Sequence, residues 1–390
     1  MLNKGRQGIV TGSALTNGDH RKLIADALLI SNIAPKDSHR TILKSPSEPI
    51  QKIPNDPEIF KKSIEEILNE LEGLEKEILK TDSKIKKVIR LVYEVEKNTN
   101  TLSNSYGLSL KKEETATSFQ LEVLGEKGNQ TEVGWDFIQS RFANKLDLKG
   151  ISQEMAQHVV KSLGGKSLPT GKYSALIHPR VGVQFLGLLT EALSAHEVQL
   201  GKSFLKGKKG FPFASSVVNM MDDPFLPTGV ASAPFDDEGV MHKKQTVIDN
   251  GILKTYFYDL RTASKEGVKS TGNGIRVGVG AEPKPGPTNF FVEAKNTTQD
   301  EMLNSAKNVF LIHDVMGLHM ADPMTGEFSL GASGFFYENG KLVHPVRGVT
   351  IAGQLNQLFQ KITSVGSDLR WYGHLGCPSL LISDLTIAGS

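Results

Sequence analysis

Residues 334–343 read GFFYENGKLV, and residues 245–256 read QTVIDNGILKTY. In both stretches an apolar run leads into Asn-Gly, and a second apolar run follows. Asparagine and glycine tolerate a positive φ, which both central positions of a type I′ turn require. The two stretches therefore predict β-hairpins, and they indicate that antiparallel sheet dominates the second half of the chain.

The rest of the second half fits a turn-rich β domain that opens with one strand and one helix. The chain has 38 glycines among 390 residues, and most of them lie in this half. Short apolar runs separated by glycines are typical of strands joined by tight turns. Ahead of these runs, the spacing of apolar residues predicts a strand over residues 173–178 and a helix over residues 183–197.

The first half alternates between helical and β patterns. Apolar residues recur at helical spacing in some segments, and β-branched residues are concentrated in others. The predicted elements are a helix over residues 20–33, a second helix that starts at residues 55–57 and extends to Ile78, a strand over residues 85–95, turns at residues 98–100 and 103–107, a strand through Phe119, Leu121 and Val123, and a helix over residues 152–163.

Length and element order predict two domains of an α+β protein. A chain of 390 residues can form two ordinary hydrophobic cores. Residues 1–168 are predicted to form an N-terminal α+β domain, a sheet with flanking helices. Residues 169–390 are predicted to form a mainly antiparallel β domain that is barrel-like or a sandwich.

Composition argues against several classes of protein. With 45 basic and 43 acidic side chains, the formal net charge is only +2, which argues against direct binding of nucleic acid. The apolar runs are too short for a membrane span, and no secretory signal is evident at the start. A single cysteine, Cys377, excludes an intramolecular disulfide and suits a reducing compartment. These features predict a cytoplasmic protein.

The histidines do not follow a strong metal-binding pattern. His196 precedes a glutamate but lacks the second histidine one turn later that a zincin helix needs. His313 and His319 flank Asp314 closely enough to suggest ligands, although buried hydrogen-bonded residues at a strand end are the favoured interpretation. His374 lies three residues before Cys377, which gives two ligand types where a structural zinc site requires four.

Two groups of carboxylates and two glycine-rich runs have ordinary structural interpretations. Residues 222–223 and 236–238 read DD and DDE, a type of pair that can hold a cation or exchange protons. Their proline and glycine neighbours favour turns instead. Residues 272–280 lack the lysine of a phosphate loop, and residues 331–334 lack the pattern of a nucleophile elbow. The residues alone therefore supply no convincing catalytic set.

The second half also resembles a known family. The resemblance rests on ordered segments that read DDP at 222–224, FDDEGV at 235–240, STGNG at 270–274, GLH at 317–319, TGEFS at 325–329, GASGF at 331–335, PVR at 345–347, TIAG at 350–353 and LTIAG at 385–389. Together they are similar to the TldD/PmbA family, once described as modulators of DNA gyrase. Residues 103–107 and the element order extend a looser similarity into the first half. Family members usually carry further strands ahead of this point, so the resemblance implies a start that is truncated.

The resemblance also implies that the family's metal positions are empty in this chain. In the TldD branch, a helix carries a HExxxH stretch with two metal-binding histidines and a glutamate that acts in peptide hydrolysis. The matching positions here are Thr190, Glu191 and Ala195, and neither threonine nor alanine is a useful zinc ligand. The TldD-type cysteine lies in a longer loop than the one around Cys377, so its ligand role is not carried over. This is the pattern of the PmbA (TldE) branch.

The function implied by the resemblance is that of a partner subunit. A PmbA-type chain has no metal of its own, pairs with a TldD-type protein that carries the metal, zinc, and helps to enclose unfolded peptide substrates. A homodimer could form where that partner is absent. Two alternatives remain open: a stand-alone metal-dependent peptidase that uses His313, His319 and His374, and a gyrase modulator that acts by binding protein.

Overall fold

The computed structural model of the protein describes residues 1–13, 16, 18–45 and 49–389, which form two packed units. In this part of the chain no helix is both long enough and apolar enough to cross a membrane. The elements of the first unit are β1 (Leu2–Asn3), β2 (Arg6–Gln7), α1 (Asp19–Ile33), α2 (Ile64–Lys80), β3 (Ile85–Ser103), β4 (Ser109–Lys127), β5 (Gln130–Ser140) and α3 (Leu148–Ser162).

The second unit continues from residue 171 to the end of the described chain. Its elements are β6 (Gly171–Ile177), α4 (Pro179–Ala192), α5 (Ala195–Gln199), β7 (Met220–Asp222), β8 (Gln245–Asp249), β9 (Ile252–Leu253), α6 (Leu260–Glu266), β10 (Gly274–Ile275), β11 (Lys284–Pro285), β12 (Phe290–Val292), α7 (Gln299–Asn304), β13 (Asn308–Met316), β14 (Glu327–Glu338), β15 (Lys341–Gln354), α8 (Leu355–Gln360), β16 (Ile362–Val365), β17 (Arg370–Tyr372), β18 (Leu375–Cys377) and β19 (Leu380–Ala388).

The first unit is a three-stranded antiparallel sheet, in the order β3-β4-β5, with α2 and α3 packed against it. Phe119, Leu121 and Val123 alternate along β4 and are fully buried, so the predicted strand through them is confirmed. They share one core with Met155 and Val159 of α3. The predicted arrangement of a sheet with flanking helices is therefore correct for this unit.

The prediction that α2 starts at residues 55–57 was wrong. Residues 57–60 form a turn, and α2 begins at Ile64 because Ser63 and Glu66 make a reciprocal capping box. The Ser63 hydroxyl accepts a hydrogen bond from the Glu66 backbone N–H, and the Glu66 carboxylate accepts one from the Ser63 backbone N–H. Aspartate followed by proline looked like a helix start but here caps only a turn.

The prediction of a turn at residues 98–100 was also wrong. β3 continues through them to Ser103, because β4 supplies an unbroken ladder of partners from Glu114 to Ser109. The chain reverses only at residues 104–108, where the predicted turn at 103–107 does occur. The long arm of β3 and β4 reaches the second unit, and its Leu108 and Leu110 pack on Phe235.

The second unit contains a closed five-stranded barrel. Strands β15, β14, β13, β6 and β19 follow one another, and β15 also pairs with β19 to complete the ring. Both predicted hairpins are confirmed: Asn339 and Gly340 have φ values of 48° and 73°, and Asn250 and Gly251 have values of 46° and 77°. A separate sheet of six strands, in the order β17-β18-β12-β7-β8-β9, packs beside the barrel.

The predicted helix over residues 183–197 is in fact two helices, and the first starts earlier. His178 caps α4 at its N-terminus, and Pro179 occupies the first turn, where it is favoured. The helix stops near Leu193, whose carbonyl accepts a hydrogen bond from the Phe257 N–H. The Ala195 N–H then donates to the Phe257 carbonyl, so the chain forms a short parallel bridge before α5 begins.

The two units meet at a seam of buried aromatic rings around His313. The ring of His313 is stacked between those of His158, from α3, and His178, with centroid distances of 3.7 Å and 4.2 Å. A β-bulge in β13 falls at His313, so this residue has no partner in the ladder with β14. The stack therefore joins a helix of the first unit to the barrel of the second.

Arg180 completes the seam. Its side chain is almost fully buried, with a relative exposure of 1%. The guanidinium group lies 3.8 Å from the centre of the Trp135 ring, and its Nη1 donates a hydrogen bond to the Trp135 carbonyl. Its Nη2 lies 3.2 Å from Oδ2 of Asp314. One cation from α4 thus holds an edge of the first sheet against the barrel.

Burial keeps the three stacked histidines neutral. It lowers the pKa of His158 from 6.5 to about 4, and the nearby Arg180 adds to this effect. Burial likewise holds the pKa values of His178 and His313 well below their usual range. The unfolded chain consequently binds more protons than the folded chain as the pH falls below 6.5.

We expect the seam to make the fold sensitive to mild acid. Each histidine should remove about 1.4 kcal/mol from the free energy of unfolding per pH unit, from about pH 6.5 down to the pKa of the folded state. Thermal unfolding of the chain between pH 7 and pH 5 measures this slope. In His158→Gln the slope should be smaller than in the parent chain.

The matched control is His20→Gln, because His20 is exposed on α1. This control should keep the parent slope. Equal slopes for the parent, His158→Gln and His20→Gln would contradict the assignment of acid sensitivity to the seam.

Candidate functional site

The positions that correspond to a metal-binding helix lie at the C-terminal end of α4. The Thr190 hydroxyl donates a 2.7 Å hydrogen bond to the carbonyl of Gly187, within its own helix. Glu191 is exposed, and its carboxylate accepts no hydrogen bond from the residues that the structure describes. Ala195 is fully buried at the start of α5.

These residues do not fit a catalytic metal ion. The Thr190 hydroxyl is engaged by backbone, and the Ala195 methyl group has no donor atom, so only the Glu191 carboxylate could contact a cation. Catalytic zinc requires about three protein ligands. Across residues 1–13, 16, 18–45 and 49–389, no group of three or more His, Cys, Asp or Glu side chains is placed to hold a metal.

Cys377 has a packing role in β18. Its side chain is fully buried, and burial raises the pKa of its thiol far above the usual range. A methyl group on Gly182 would lie only 2.5 Å from the Cys377 sulfur atom. The glycine therefore lets α4 approach β18 closely, and the thiol fills the contact as a small apolar group.

The three histidines of the alternative metal set are dispersed. His313 is buried in the seam, where its Nδ1 has no hydrogen-bond partner among the described residues. His319 is exposed in a short 3₁₀ turn after β13. His374 is exposed in the turn between β17 and β18. The set therefore does not form a site in this fold.

The remaining histidine-glutamate pair lies on α5. Nε2 of His196 is 3.9 Å from Oε1 of Glu197, and both side chains are partly exposed. The helix has only five residues and is followed by a turn. It therefore offers no second ligand one turn further along, as the sequence indicated.

The carboxylates at 222 and 236 do organise turns, which confirms the structural interpretation. Asp236 accepts hydrogen bonds from the backbone N–H groups of Glu238, Val240 and Gly274. Asp222 is 1% exposed, and it accepts from both the N–H and the hydroxyl of Thr288. Backbone donors satisfy Asp236, and one backbone and three side-chain donors satisfy Asp222, so both carboxylates tie loops together.

Burial shifts the proton affinities of this acidic group. It raises the pKa of Asp236 to about 7. It also raises the pKa of Glu238 to about 8, and the charge of Asp236 contributes to that shift. Perturbed carboxyls are frequent at functional sites but also occur in structural networks. Asp236 belongs to a structural network, because its carboxylate accepts hydrogen bonds from loop backbone; those bonds oppose the rise in its pKa that burial causes.

A cleft of about 260 Å³ opens beside Glu238, between the second unit and the N-terminal segment. Two of its cations have acidic partners: Arg40 pairs with Glu282, and Arg261 donates a 2.6 Å hydrogen bond to Asp37. The third, Arg276, donates to the carbonyl of Ala281. No serine or cysteine among the described lining residues stands beside a base that could activate it. The ion pairs beside this cleft therefore join the N-terminal segment to the second unit. The side chains that line the cleft form no catalytic arrangement.

A second cleft, of about 390 Å³, lies next to the seam, and we call it the seam cleft. Its polar and aromatic lining includes Asp136 of β5, Glu154 of α3, and Arg370, Trp371 and Tyr372 of β17. Sequence reasoning did not single out these residues, because they come together only in the tertiary structure. The one local sign of this cleft in the sequence is Asp136, because residues 133–138 read VGWDFI and all its neighbours there are apolar or glycine.

Comparison with known families gives two matches in chain order. Residues 57–163 match the model of the PmbA/TldA metallopeptidase central domain. Residues 170–389, more than half of the chain, match the model of the PmbA/TldA metallopeptidase C-terminal domain.

Individual proteins give the same result. The metalloprotease PmbA of Escherichia coli O157:H7 is 27% identical over 287 residues, which are 73% of this chain and 61% of that protein. A PmbA homologue of Buchnera aphidicola is 27% identical over 294 residues, 75% of this chain and 63% of its own length. A protein of Methanocaldococcus jannaschii is 30% identical over 283 residues, 72% and 64% of the two lengths. The chain thus spans less than two thirds of these relatives.

Two solved structures share the fold. A protein of Thermotoga maritima MSB8, described as a candidate modulator of DNA gyrase, superposes with a TM-score of 0.91 at 28% identity. That match covers 99% of this chain and 87% of the other. TldE from Thermococcus kodakarensis has the same TM-score at 23% identity, with 99% and 88% covered, and shows the fold alone.

The two family models and the relatives agree with the sequence resemblance from Asp222 onward. They extend it through the first unit, where the residues alone gave a looser match. The chain belongs to the TldD/PmbA family of metallopeptidases.

Proposed function

We propose that this chain is a non-catalytic PmbA/TldE-type subunit of a TldD/TldE-like metalloprotease complex that processes unfolded peptides. The observation that supports the proposal most directly is the pair of side chains that replace the metal ligands at the end of α4. Where the metal-binding helix would present two imidazoles, this chain has a hydroxyl bonded to its own backbone, at Thr190, and a buried methyl group, at Ala195.

The surviving Glu191 cannot perform hydrolysis by itself. Peptide hydrolysis at a metal site depends on a bound water whose pKa is lowered to about 7, whereas that of bulk water is about 15.7. A solvated carboxylate without a metal gives no such activation. Glu191 also makes no hydrogen bond on the helix surface to any residue that the structure describes.

The partner in this proposal is a TldD-type protein that supplies the metal, zinc, and the catalytic glutamate. The present chain would contribute shape and surface to the chamber that receives peptides, and it could form a homodimer where that partner is absent. A cytoplasmic location is part of the proposal, because the single cysteine, Cys377, is free and buried, which suits a reducing compartment.

A second candidate, modulation of DNA gyrase by protein binding, is supported by the description of the Thermotoga maritima protein. The stand-alone peptidase has less support, because His313, His319 and His374 do not converge. An affinity capture with this chain as bait separates the first two ideas. Recovery of a TldD homologue favours the subunit, and recovery of gyrase favours the modulator.

We expect the purified chain to contain no stoichiometric metal and to have no peptidase activity alone. Activity on an unfolded peptide should arise only when a TldD-type protein is added, and a chelator should abolish it. Elemental analysis and a fluorogenic peptide assay measure both results. Tightly bound zinc together with chelator-sensitive activity of the chain alone would overturn the proposal.

We expect Glu191→Ala to leave the activity of the assembled complex within about twofold of the parent, and stability within about 0.5 kcal/mol, because the side chain is exposed and makes no hydrogen bond. The same substitution at the motif glutamate of the TldD-type partner is the positive control and should abolish activity. A large loss from Glu191→Ala would place this residue in the catalytic machinery.

A further inference from the structure

The position of Asp136 in its strand is unusual. Side chains alternate along β5, so Asp136 faces the same side as Gly134 and Ile138. On that side, a methyl group at Gly134 would meet Met155 and Val159 of α3, and Ile138 packs on the same core. A carboxylate thus occupies a core-facing position, at the point where the core opens into the seam cleft.

Asp136 is nearly buried and poorly hydrogen-bonded. Its relative exposure is 5%, and its only hydrogen bond in the described structure is accepted from the N–H of the adjacent Phe137, at 2.8 Å. That bond engages Oδ1 and leaves Oδ2 without a donor. Burial raises the pKa of Asp136, and the guanidinium groups of Arg180 and Arg370 offset the shift only in part.

The two guanidinium groups near Asp136 are engaged by other acids. Nη2 of Arg370 donates to both carboxylate oxygens of Glu154, at 2.8 Å and 2.9 Å. Arg180 pairs with Asp314 at 3.2 Å. Lys145 and Asp147 also line the cleft, so three cations face four carboxylates and one negative charge is in excess. Asp136 is the buried carboxylate of this group that has no ion-pair partner among the described residues.

We propose that the seam cleft binds an alkylammonium group, supplied by a lysine side chain or by the free N-terminus of a peptide. The cation would contact Oδ2 of Asp136, and its apolar stem would lie against the walls formed by Leu146, Ile151 and Trp371. A volume of about 390 Å³ suits a ligand of about one or two residues. This site is remote in sequence from the α4 motif and does not depend on a catalytic partner.

The chain carries its own reporter of occupancy. It has two tryptophans, Trp371 in the wall of the cleft and Trp135 stacked on Arg180. Tryptophan fluorescence can therefore be titrated with three small ligands at constant ionic strength. N-acetyl-lysine methylamide has only the side-chain ammonium, leucine methylamide has only the α-ammonium, and N-acetyl-norleucine methylamide has neither.

We expect saturable binding of at least one ammonium ligand and binding of the norleucine compound that is weaker by about tenfold or more. The ligand that binds identifies the source as a lysine side chain or a chain terminus. Trp371→Phe should remove most of the signal. Equal binding of all three compounds, or binding of none, would overturn the proposal.

Asp136→Asn is the decisive variant, with Glu96→Gln as the matched control, because Glu96 is exposed on the β3 arm away from the cleft. We expect Asp136→Asn to weaken ammonium binding by about tenfold or more, with an unfolding temperature equal to or above that of the parent, since the amide removes a desolvated charge. The control should match the parent in both measurements. Unchanged affinity in Asp136→Asn would refute the site, and so would a lower unfolding temperature, which would indicate a structural role. Neither result bears on the proposed pairing with a TldD-type subunit.

Discussion

The buried guanidinium group of Arg180 is the constraint on which the arrangement of the two units depends. It reaches Trp135 of the first sheet on one side and Asp314 of the barrel on the other, from a position with 1% exposure. A buried charge is tolerated only where partners replace its water, so the two units must keep this relative position. The stacked rings around His313 then pack beside this ion pair, whose Asp314 side chain keeps a relative exposure of 26%.

Helix α4 begins at the seam, with Arg180, and ends at Thr190 and Glu191, two positions of the degenerate metal-binding motif. Its middle is packed between the barrel and the second sheet, and ten of its 14 residues are buried. The framework that would hold a metal-binding helix is therefore intact, while the ligand positions at Thr190 and Ala195 carry no imidazole. The scaffold can be kept while the ligand side chains differ, because packing constrains the core far more strongly than it constrains two side chains at a helix end.

Sequence reasoning succeeded where the determining interactions are local. The Asn-Gly hairpins at 250–251 and 339–340 follow from backbone preferences of two residues, and the strand through Phe119 follows from simple alternation. It failed where a distant segment decides the outcome. The end of α4 is set by hydrogen bonds to Phe257, and the length of β3 is set by its ladder with β4. The seam cleft is the extreme case, because residues of the neighbouring elements β5 and α3 meet β17, which lies near the other end of the chain.

The polar character of the seam itself argues for a role beyond stability. Replacing a buried ion pair by well-packed apolar side chains is often neutral or stabilising, so burial of charge is weak evidence of a contribution to folding. Here the arrangement is also incomplete, since Asp136 has no ion-pair partner and Nε of Arg180 has no acceptor among the described residues. A cluster selected only for stability would have satisfied or removed these groups. Their presence beside an open cleft is better explained by a ligand that completes the charge balance than by the packing of the two units.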